Sequence, residues 1–481
     1  MTARTRTIWT FVITSVALFM TSLDNLVVTT ALPVIRLHLH ASLSSLEWTV
    51  NAYTLTFAVL LLTGATLGER FGRRRMFLVG LVVFTAGSAA AALAPSAGWL
   101  IVARAVQGSG SAIVTPLTLT LLSAAVPVER RGAALGAWGA VAGLAISSGP
   151  LVGGAVVQGW SWQTIFWINV PIGLLLLPVA WRGLAESHGP ASRLDLGGVL
   201  LASTGLFGLV LGTVRANALG WTSTYVLTSL AVGAALLVAF VRWELRTSEP
   251  MLPMRLFRSR GFTAANAASV LMFFGMFGSI FLLSQALQTM QGYTPLGAGL
   301  RMLPWTGMPI VFAPIAGILA DRIGARPVVF VGLALQAIGL FWLAQLMSPT
   351  TPFLHLVPAL SVSGIGMAMF FAPTAALVLS TVRREEEGIA SGAANALREV
   401  GGVFGVAVLA SVFAGHGGYL SPHDFALGLR PAVEVGAAVV GVAALVLLGV
   451  PRRATALQAG IETGEGDVTG VPSGELASVG V

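Results

Sequence analysis

Apolar residues in this chain come in long blocks and do not alternate with polar ones. Each block runs to about 20 residues or more, and short segments rich in Arg, Gly, Pro and carboxylates separate them. A block of about 20 apolar residues is what one helix needs to cross a bilayer. The pattern predicts helices near 8–32, 46–66, 76–95, 99–122, 133–158, 164–182, 194–214, 223–243, 261–283, 297–320, 328–346, 354–380, 388–413 and 431–450. That is fourteen spans. The first block, Ile8 to about Leu32, is too long for the core of a cleaved signal peptide and has no evident cleavage site, so it is expected to be retained as a helix.

Between the second and third blocks lies a basic stretch, Gly64-Ala-Thr-Leu-Gly-Glu69-Arg70-Phe-Gly72-Arg73-Arg74-Arg75. The same order of residue types returns at Gly317-Ile-Leu-Ala-Asp321-Arg322-Ile-Gly324-Ala-Arg326-Pro327. The chain is therefore expected to consist of two related halves. The repeated loops follow helices 2 and 10; an equal division into sevens would put the second after helix 9. A six-two-six division fits, with helices 7 and 8 inserted. The expected organisation is a cytoplasmic N-terminus at 1–7, a six-helix bundle at 8–182, two inserted helices with their connections at 183–260, a second six-helix bundle at 261–450, and a disordered cytoplasmic tail at 451–481 without apolar periodicity.

Composition closes off other classes. The 481 residues are 56% hydrophobic and 10% charged, with a mean hydropathy of +0.86. That balance belongs to an all-α polytopic membrane protein and leaves no room for a soluble catalytic domain. The absence of cysteine excludes disulfides and thiolate chemistry. With both ends placed in the cytoplasm, nearly all loop arginines fall on that side, and only Arg36, Arg215, Arg301 and Arg430 fall outside. The net charge of +8 is then topological and implies no nucleic-acid partner.

Several further motifs stand in order along the chain. Leu23-Asp24-Asn25-Leu-Val-Val-Thr29-Thr-Ala-Leu-Pro33 lies in the first helix, Arg104 with Gln107-Gly108 in the fourth, and Gly149-Pro150-Leu-Val-Gly153-Gly154 in the fifth. Phe166-Trp-Ile-Asn169-Val-Pro171-Ile-Gly173 follows in the sixth. Together with the two basic loops, this set resembles the major facilitator superfamily and, within it, the fourteen-span drug:proton antiporters. The first loop departs from the family pattern at Ala65 and Glu69, the second at Ala325, the first helix at Leu26 and Thr29, and the fifth at Ala145. The resemblance implies a major facilitator fold and export driven by the proton gradient, with no cofactor. It also gives Gly149, Pro150, Gly153 and Gly154 the place of the antiporter motif characteristic of exporters.

Each motif has its own chemistry. In the loops, Glu69, Arg70, Gly72, Arg73 and Arg74, and Asp321, Arg322, Gly324 and Arg326, can latch the cytoplasmic gate, with glycine allowing close approach and a carboxylate holding an adjacent Arg. The alternative is that the arginines only fix topology. In the fifth helix, Pro150 removes a backbone donor and bends the helix, while the glycines allow close packing. Asp24 is expected about 10 Å below the outer surface and Arg104 about 7.5 Å below it, at 1.5 Å per residue. They can meet, and protonation of Asp24 would then weaken the pair during transport. Otherwise Asp24 sits in a wet vestibule and Arg104 holds backbone carbonyls.

Glu399 is expected roughly 16 Å deep, near the midplane, where a carboxylate removed from water is a candidate proton carrier. A pair with Arg398 is the other reading. Glu47 and Glu434 are expected at the interface. Met276 and Phe277 in helix 9 and Met369 and Phe370 in helix 12 would form an adaptable apolar wall for greasy ligands, or pack as core or against lipid. Gln107 and Asn395, with Asn266 and Gln285, would supply the orienting polar contacts.

The reading is a proton-coupled antiporter that exports hydrophobic drugs, dyes, antiseptics or antibiotics across a bacterial cell membrane, working as a monomer. A proton-linked importer of a small nutrient and a non-transporting sensor of the same fold are the alternatives. No histidine has metal-ligand spacing and no phosphate-binding G-x-x-x-x-G-K-[ST] occurs, so neither an enzyme nor ATP as energy source is expected.

Overall fold

A computed structural model describes residues 3–127, 131–188, 194–382 and 387–448. A helix occupies every segment where the apolar blocks predict one. In chain order they are α1 (Ala3–His38), α2 (Leu43–Phe71), α3 (Arg73–Ala92), α4 (Ala97–Ala125), α5 (Arg131–Gly159), α6 (Thr164–Trp167), α7 (Asn169–Gly183), α8 (Leu196–Leu219) and α9 (Thr224–Glu244). Then come α10 (Arg260–Gln285), α11 (Pro295–Thr306), α12 (Met308–Ile323), α13 (Ala325–Leu346), α14 (Phe353–Leu379), α15 (Glu387–His416) and α16 (Pro422–Leu448). Thirteen spans among the described residues are long and apolar enough to cross a membrane, and the described residues contain no strand. The tail expected at 451–481 and the loop arginines Arg130, Arg193, Arg383 and Arg384 lie outside the described residues.

Local chemistry sets the ends of these helices. Ser42, Ser96, Ser259 and Thr294 accept the backbone N–H of the third residue beyond them, which satisfies a donor with no partner inside the helix. Gly72 and Gly324 turn the chain between α2 and α3 and between α12 and α13 at φ of 101° and 90°, a region costly for any side chain. Two expected spans are interrupted. The sixth breaks at Ile168 into α6 and α7, because Pro171 gives no N–H to the turn before it. The tenth breaks at Gly307 into α11 and α12, just before Pro309, for the same reason. Helix α10 instead runs on beyond its expected end through a π turn, Ala286–Met290.

Helices α1 to α7 pack chiefly on one another, with α4 between α2 and α3 and α5 along α1. Helices α10 to α16 do the same, with α14 on α13 and α16 across α10 and α13. Helices α8 and α9 pair with each other, and α8 lies against α2 and α15. The Gly72 and Gly324 turns define an arginine-rich face of the molecule. The α1–α2, α3–α4 and α15–α16 connections define the opposite face.

Candidate functional site

Two features dominate the interior: a buried charged cluster in the first half of the chain, and a cavity between the halves. The cluster forms where α1, α2, α4 and α7 meet. Asp24 is 3% exposed and Arg104 fully buried, and the Arg104 guanidinium donates to Asp24 Oδ2. Asp24 Oδ1 accepts two further bonds, from Gln107 Nε2 at 2.8 Å and Asn169 Nδ2 at 2.7 Å. Arg104 also donates to Gln107 Oε1 at 2.7 Å and to the Thr49 carbonyl at 3.2 Å. Gln107 Nε2 is shared with Ser88 Oγ at 2.7 Å. Buried charges in a membrane protein persist where they are paired and hydrogen-bonded, and this pair is both.

The ring of Tyr53 lies 4.1 Å from the Arg104 guanidinium carbon, and its hydroxyl donates to the Thr21 carbonyl at 3.1 Å. Tyr53, Thr21 and Asn25 also line the cavity, whereas Asp24, Arg104 and Gln107 do not. The ion pair therefore sits one side chain behind the cavity wall. Gln107, expected to orient a ligand, spends its polar atoms on the cluster.

The cavity has a volume of about 1100 Å³. Met276, Phe277 and Asn395 line it as expected. From α14 the lining side chains are Met367 and Phe371, while Phe370 is fully buried in the helix packing. Met369 packs towards Gly332 on α13. Four residues are close to one helical turn, so Met367 and Phe371 lie about 40° apart on one face, with Met369 turned about 200° from Met367 and Phe370 about 100° from Phe371. Phe273 completes an aromatic patch, its ring 5.7 Å from both Phe277 and Phe371.

Glu399 and Arg398 both line the cavity. No ion pair joins them among the described residues. Arg398 Nη1 lies 3.4 Å from Asn395 Oδ1, and Glu399 Oε2 has no hydrogen-bond partner. The wall continues past Glu69, Asp195, Glu244 and Arg258 towards the arginine-rich face. There Asp195 caps α8 and ties down the segment after α9. Burial pushes its carboxyl up, but bonds from Gly198, Trp243, Glu244 and Met251 outweigh that and hold it below its ordinary value.

The opposite face is shut. On it, Ser284 Oγ donates to the Thr29 carbonyl at 3.0 Å and Gln288 Nε2 to the Thr30 carbonyl at 2.9 Å, joining α10 to α1. Helix α5 forms the second seam. Gly149 and Gly153 lie against Leu26 and Thr30 of α1, and Gly154 lies against α11, where a methyl group would sit 2.3 Å from the Pro295 carbonyl oxygen. Gly299 meets the Pro150 carbonyl equally closely. Arg36 covers the Tyr419 ring at 3.6 Å, and the Tyr419 hydroxyl donates to Gln285. Burial pushes that phenol above its ordinary value, against the pull of Arg36, which keeps it a donor.

The basic loops are unequal. In the first, Glu186 accepts the backbone N–H groups of Arg74 at 2.9 Å and Arg75 at 3.2 Å, and its carboxylate lies 3.8 Å from Arg74 Nε. Glu69 has no ion-pair partner among the described residues. In the second, Asp321 and Arg322 are exposed, and Arg326 donates to the Leu447 and Leu448 carbonyls, closing the end of α16. Sequence reasoning passed over Glu186 because it lies far from the motif. It also left Tyr53 and Asn169 out of the site, although Asn169 stands within a quoted motif, and within the stretch Met367 to Phe371 it favoured Met369 and Phe370. Glu47, expected at the interface, is buried at 1% exposure. Helix α2 packs against α4, α15 and α8.

A bundle of long apolar helices, enclosing a cavity open to one face and sealed at the other, is the build of a membrane transporter. The sequence profile of the Major Facilitator Superfamily matches residues 14–406 and 265–471, so the chain belongs to that superfamily and is a secondary transporter, not an enzyme. It is 38% identical over 410 residues to the multidrug resistance protein Stp of Mycobacterium tuberculosis, covering 84% of this chain and 75% of that protein. It is 33% identical to the tetracenomycin C resistance and export protein of Streptomyces glaucescens, over 98% of this chain and 85% of the other. With the cephamycin export protein of Amycolatopsis lactamdurans it shares 38% identity over 93% and 92%. Among solved structures, an auto-inhibited peptide transporter of the POT family aligns with a TM-score of 0.69 at 15% identity, over 93% of this chain and 97% of that one. The xylose transporter XylE of E. coli, in a partially occluded inward-open state, aligns at 0.62 and 15% identity, over 92% and 98%. These likenesses show the fold.

Proposed function

We propose that this protein is a proton-coupled antiporter that exports hydrophobic drugs or antibiotics across the cell membrane by alternating access. The observation that carries the reading is the cavity: a large space with an apolar patch of Phe273, Met276, Phe277, Met367 and Phe371, beside which stand Arg398 and Glu399 with no ion pair between them. Such a patch suits flat apolar ligands. Relatives named for multidrug, tetracenomycin and cephamycin resistance or export support the same substrate class.

In this reading α5 joins the thirteen apolar spans to give fourteen. Helices α1–α7 and α10–α16 form two six-span bundles with α8 and α9 inserted, and the arginine-rich face and both termini are cytoplasmic. The conformation is then inward-facing. Glu399 exchanges a proton with the cavity, and Asp24 does so through Tyr53 and Arg104. Glu69 and Asp321 engage the arginines of their loops only when the cytoplasmic face closes, so the latch is undone here. No cofactor is needed, and the monomer suffices.

The test is proton movement from acid-loaded proteoliposomes of the purified protein, challenged with lipophilic cations, neutral antibiotics and sugars. Proton efflux triggered by the apolar compounds and lost in Asp24→Asn or Glu399→Gln is the expected result. Silence to every apolar compound, or a response to sugars alone, would overturn the reading.

A further inference from the structure

Away from the half-buried Glu399 of the cavity wall, another carboxyl is enclosed without a partner. Glu47, near the start of α2, has 1% exposure, and neither of its oxygens has a hydrogen-bond partner. Asn51, one turn further on, is fully buried, and both of its amide atoms are also unpartnered. At 100° per residue, Glu47, Asn51, Ala58, Ala65 and Glu69 lie within about 40° of one another on a single stripe of α2. Ala65 and Glu69 line the cavity, while Ala58, Asn51 and Glu47 are enclosed. The stripe is cavity wall towards the arginine-rich face and sealed gate towards the opposite one. On the neighbouring face of α2 the cavity reaches Phe57 and Tyr53, so along the helix Asn51 lies about 3 Å and Glu47 about 9 Å beyond its end, at 1.5 Å per residue.

The neighbouring face of α2 marks what the stripe is sealed against. Leu55 and Val59 pack with Val403 and Ala407 of α15 and with Val210 and Val214 of α8, and the Trp48 and Phe207 rings are 5.3 Å apart. Beside Glu47, α2 is therefore packed against α15 of the second half and the inserted α8. No charge there compensates Glu47. On α1, Asp24 is bound to Arg104, and Arg36 lies over Tyr419. On α4, Arg104 is committed to Asp24, Gln107 and Thr49. Arg215 at the end of α8 and His416 at the end of α15 are exposed, with His416 held at the Val412 carbonyl. Helix α3 has its only charges at its far end, Arg73 to Arg75. Tyr419 lies near enough to feel both Arg36 and Glu47 but gives its hydroxyl to Gln285.

A bare carboxylate enclosed like this, without donor or counter-charge, costs several kcal/mol more than its neutral acid. Water would remove that cost. We propose that Glu47, assisted by Asn51, is a proton-binding site of the gate opposite the arginine-rich face: it holds a proton while that face is closed and releases it to water on that face when the gate opens. The Asn51 amide, a side-chain neighbour at i+4, then donates to the ionised carboxylate. The proton returns from the same water before closure, so acid on that side favours the closed state. No proton crosses the membrane by this route. The inference rests on the alternating-access reading, but not on the substrate or on roles for Asp24 and Glu399.

The absence of cysteine makes a direct test available. Ser44→Cys on α2 and Gly415→Cys on α15, both nitroxide-labelled, report the gate by double electron–electron resonance. Gly415 has open space around it. In the otherwise unaltered protein, the ratio of long to short distances should rise by up to about tenfold per pH unit through one transition. Glu47→Gln, which copies the neutral acid, should stay short at every pH, while Glu399→Gln should keep the transition. An unchanged transition in Glu47→Gln, its loss in Glu399→Gln, or two pH-independent populations in the parent would overturn the inference and leave alternating access standing. A gate that never opens at any pH, even with a lipophilic cation bound, would overturn both. Should Glu47→Gln fail to purify as a single species, Asn51→Leu decides: the transition should move to higher pH, and no movement overturns the proposal.

Discussion

The Asp24 cluster allows a worked prediction of stability. Asp24→Asn leaves the Arg104 guanidinium fully buried without its counter-charge. It also disrupts an acceptor that takes hydrogen bonds from Gln107 and Asn169. Removing one member of a buried pair costs about 3–5 kcal/mol, because the remaining charge stays enclosed. An unfolding entropy of about 2.1 cal/mol/K per residue, applied to the whole chain, sets an upper limit of about 1 kcal/mol/K. The apparent melting temperature of the purified protein should therefore fall by at least about 3–5 °C. The assay is thermal unfolding in detergent, followed by tryptophan fluorescence, for Asp24→Asn, Arg104→Met and the double variant Asp24→Leu/Arg104→Met. The double variant should recover part of the loss, since apolar groups can replace a buried pair at little cost. A melting temperature for Asp24→Asn within about 1 °C of the parent, or a double variant worse than the two singles combined, would refute the reasoning.

Three further outcomes follow from the structure. Gly154→Ala places a methyl 2.3 Å from the Pro295 carbonyl oxygen, so the closed face must give way. Overpacking of about 1–3 kcal/mol should raise the open population on that face on the order of tenfold, read by the same nitroxide pair. Glu186→Gln loosens the cap on α3, whose N-terminal amides at Arg74 and Arg75 bond its carboxylate; exchange of those amides should speed, matching about 0.5–2 kcal/mol of lost capping. Asp195 has a folded value below its ordinary 3.8, so its cap is at full strength at neutral pH and is lost as pH falls through that lower value. Protection of the Gly198 and Met251 amides, measured as exchange relative to the intrinsic base-catalysed rate, should stay constant from neutral pH down to the ordinary carboxylate range and fall only in stronger acid. Loss of protection above that range would contradict the assignment.

Much of the architecture is legible in the chain because a bilayer permits few solutions. Every spanning segment must be apolar and must satisfy its own backbone, so length and hydropathy alone locate the helices. The proline at 171 and the Gly307–Pro309 stretch were equally visible, yet the breaks they cause were not expected, since neighbouring helices decide whether a proline bends a helix or ends it. The meeting of Asp24 and Arg104 could be anticipated from depth along two helices, because rise per residue fixes height.

Azimuth and state were another matter. Which of Met367, Met369, Phe370 and Phe371 faces the cavity depends on the rotation of α14, and all four are apolar enough to be buried. The sequence itself determined the spans, the twofold repeat of the basic loops and the scarcity of ionisable groups at depth, because these depend on composition along one dimension. Only the tertiary structure decided that Gln107 serves the ion pair, that Glu186 holds the first basic loop, and that Glu47 is enclosed. Each depends on which helix stands opposite, and residues tens to hundreds of positions away supply that neighbour.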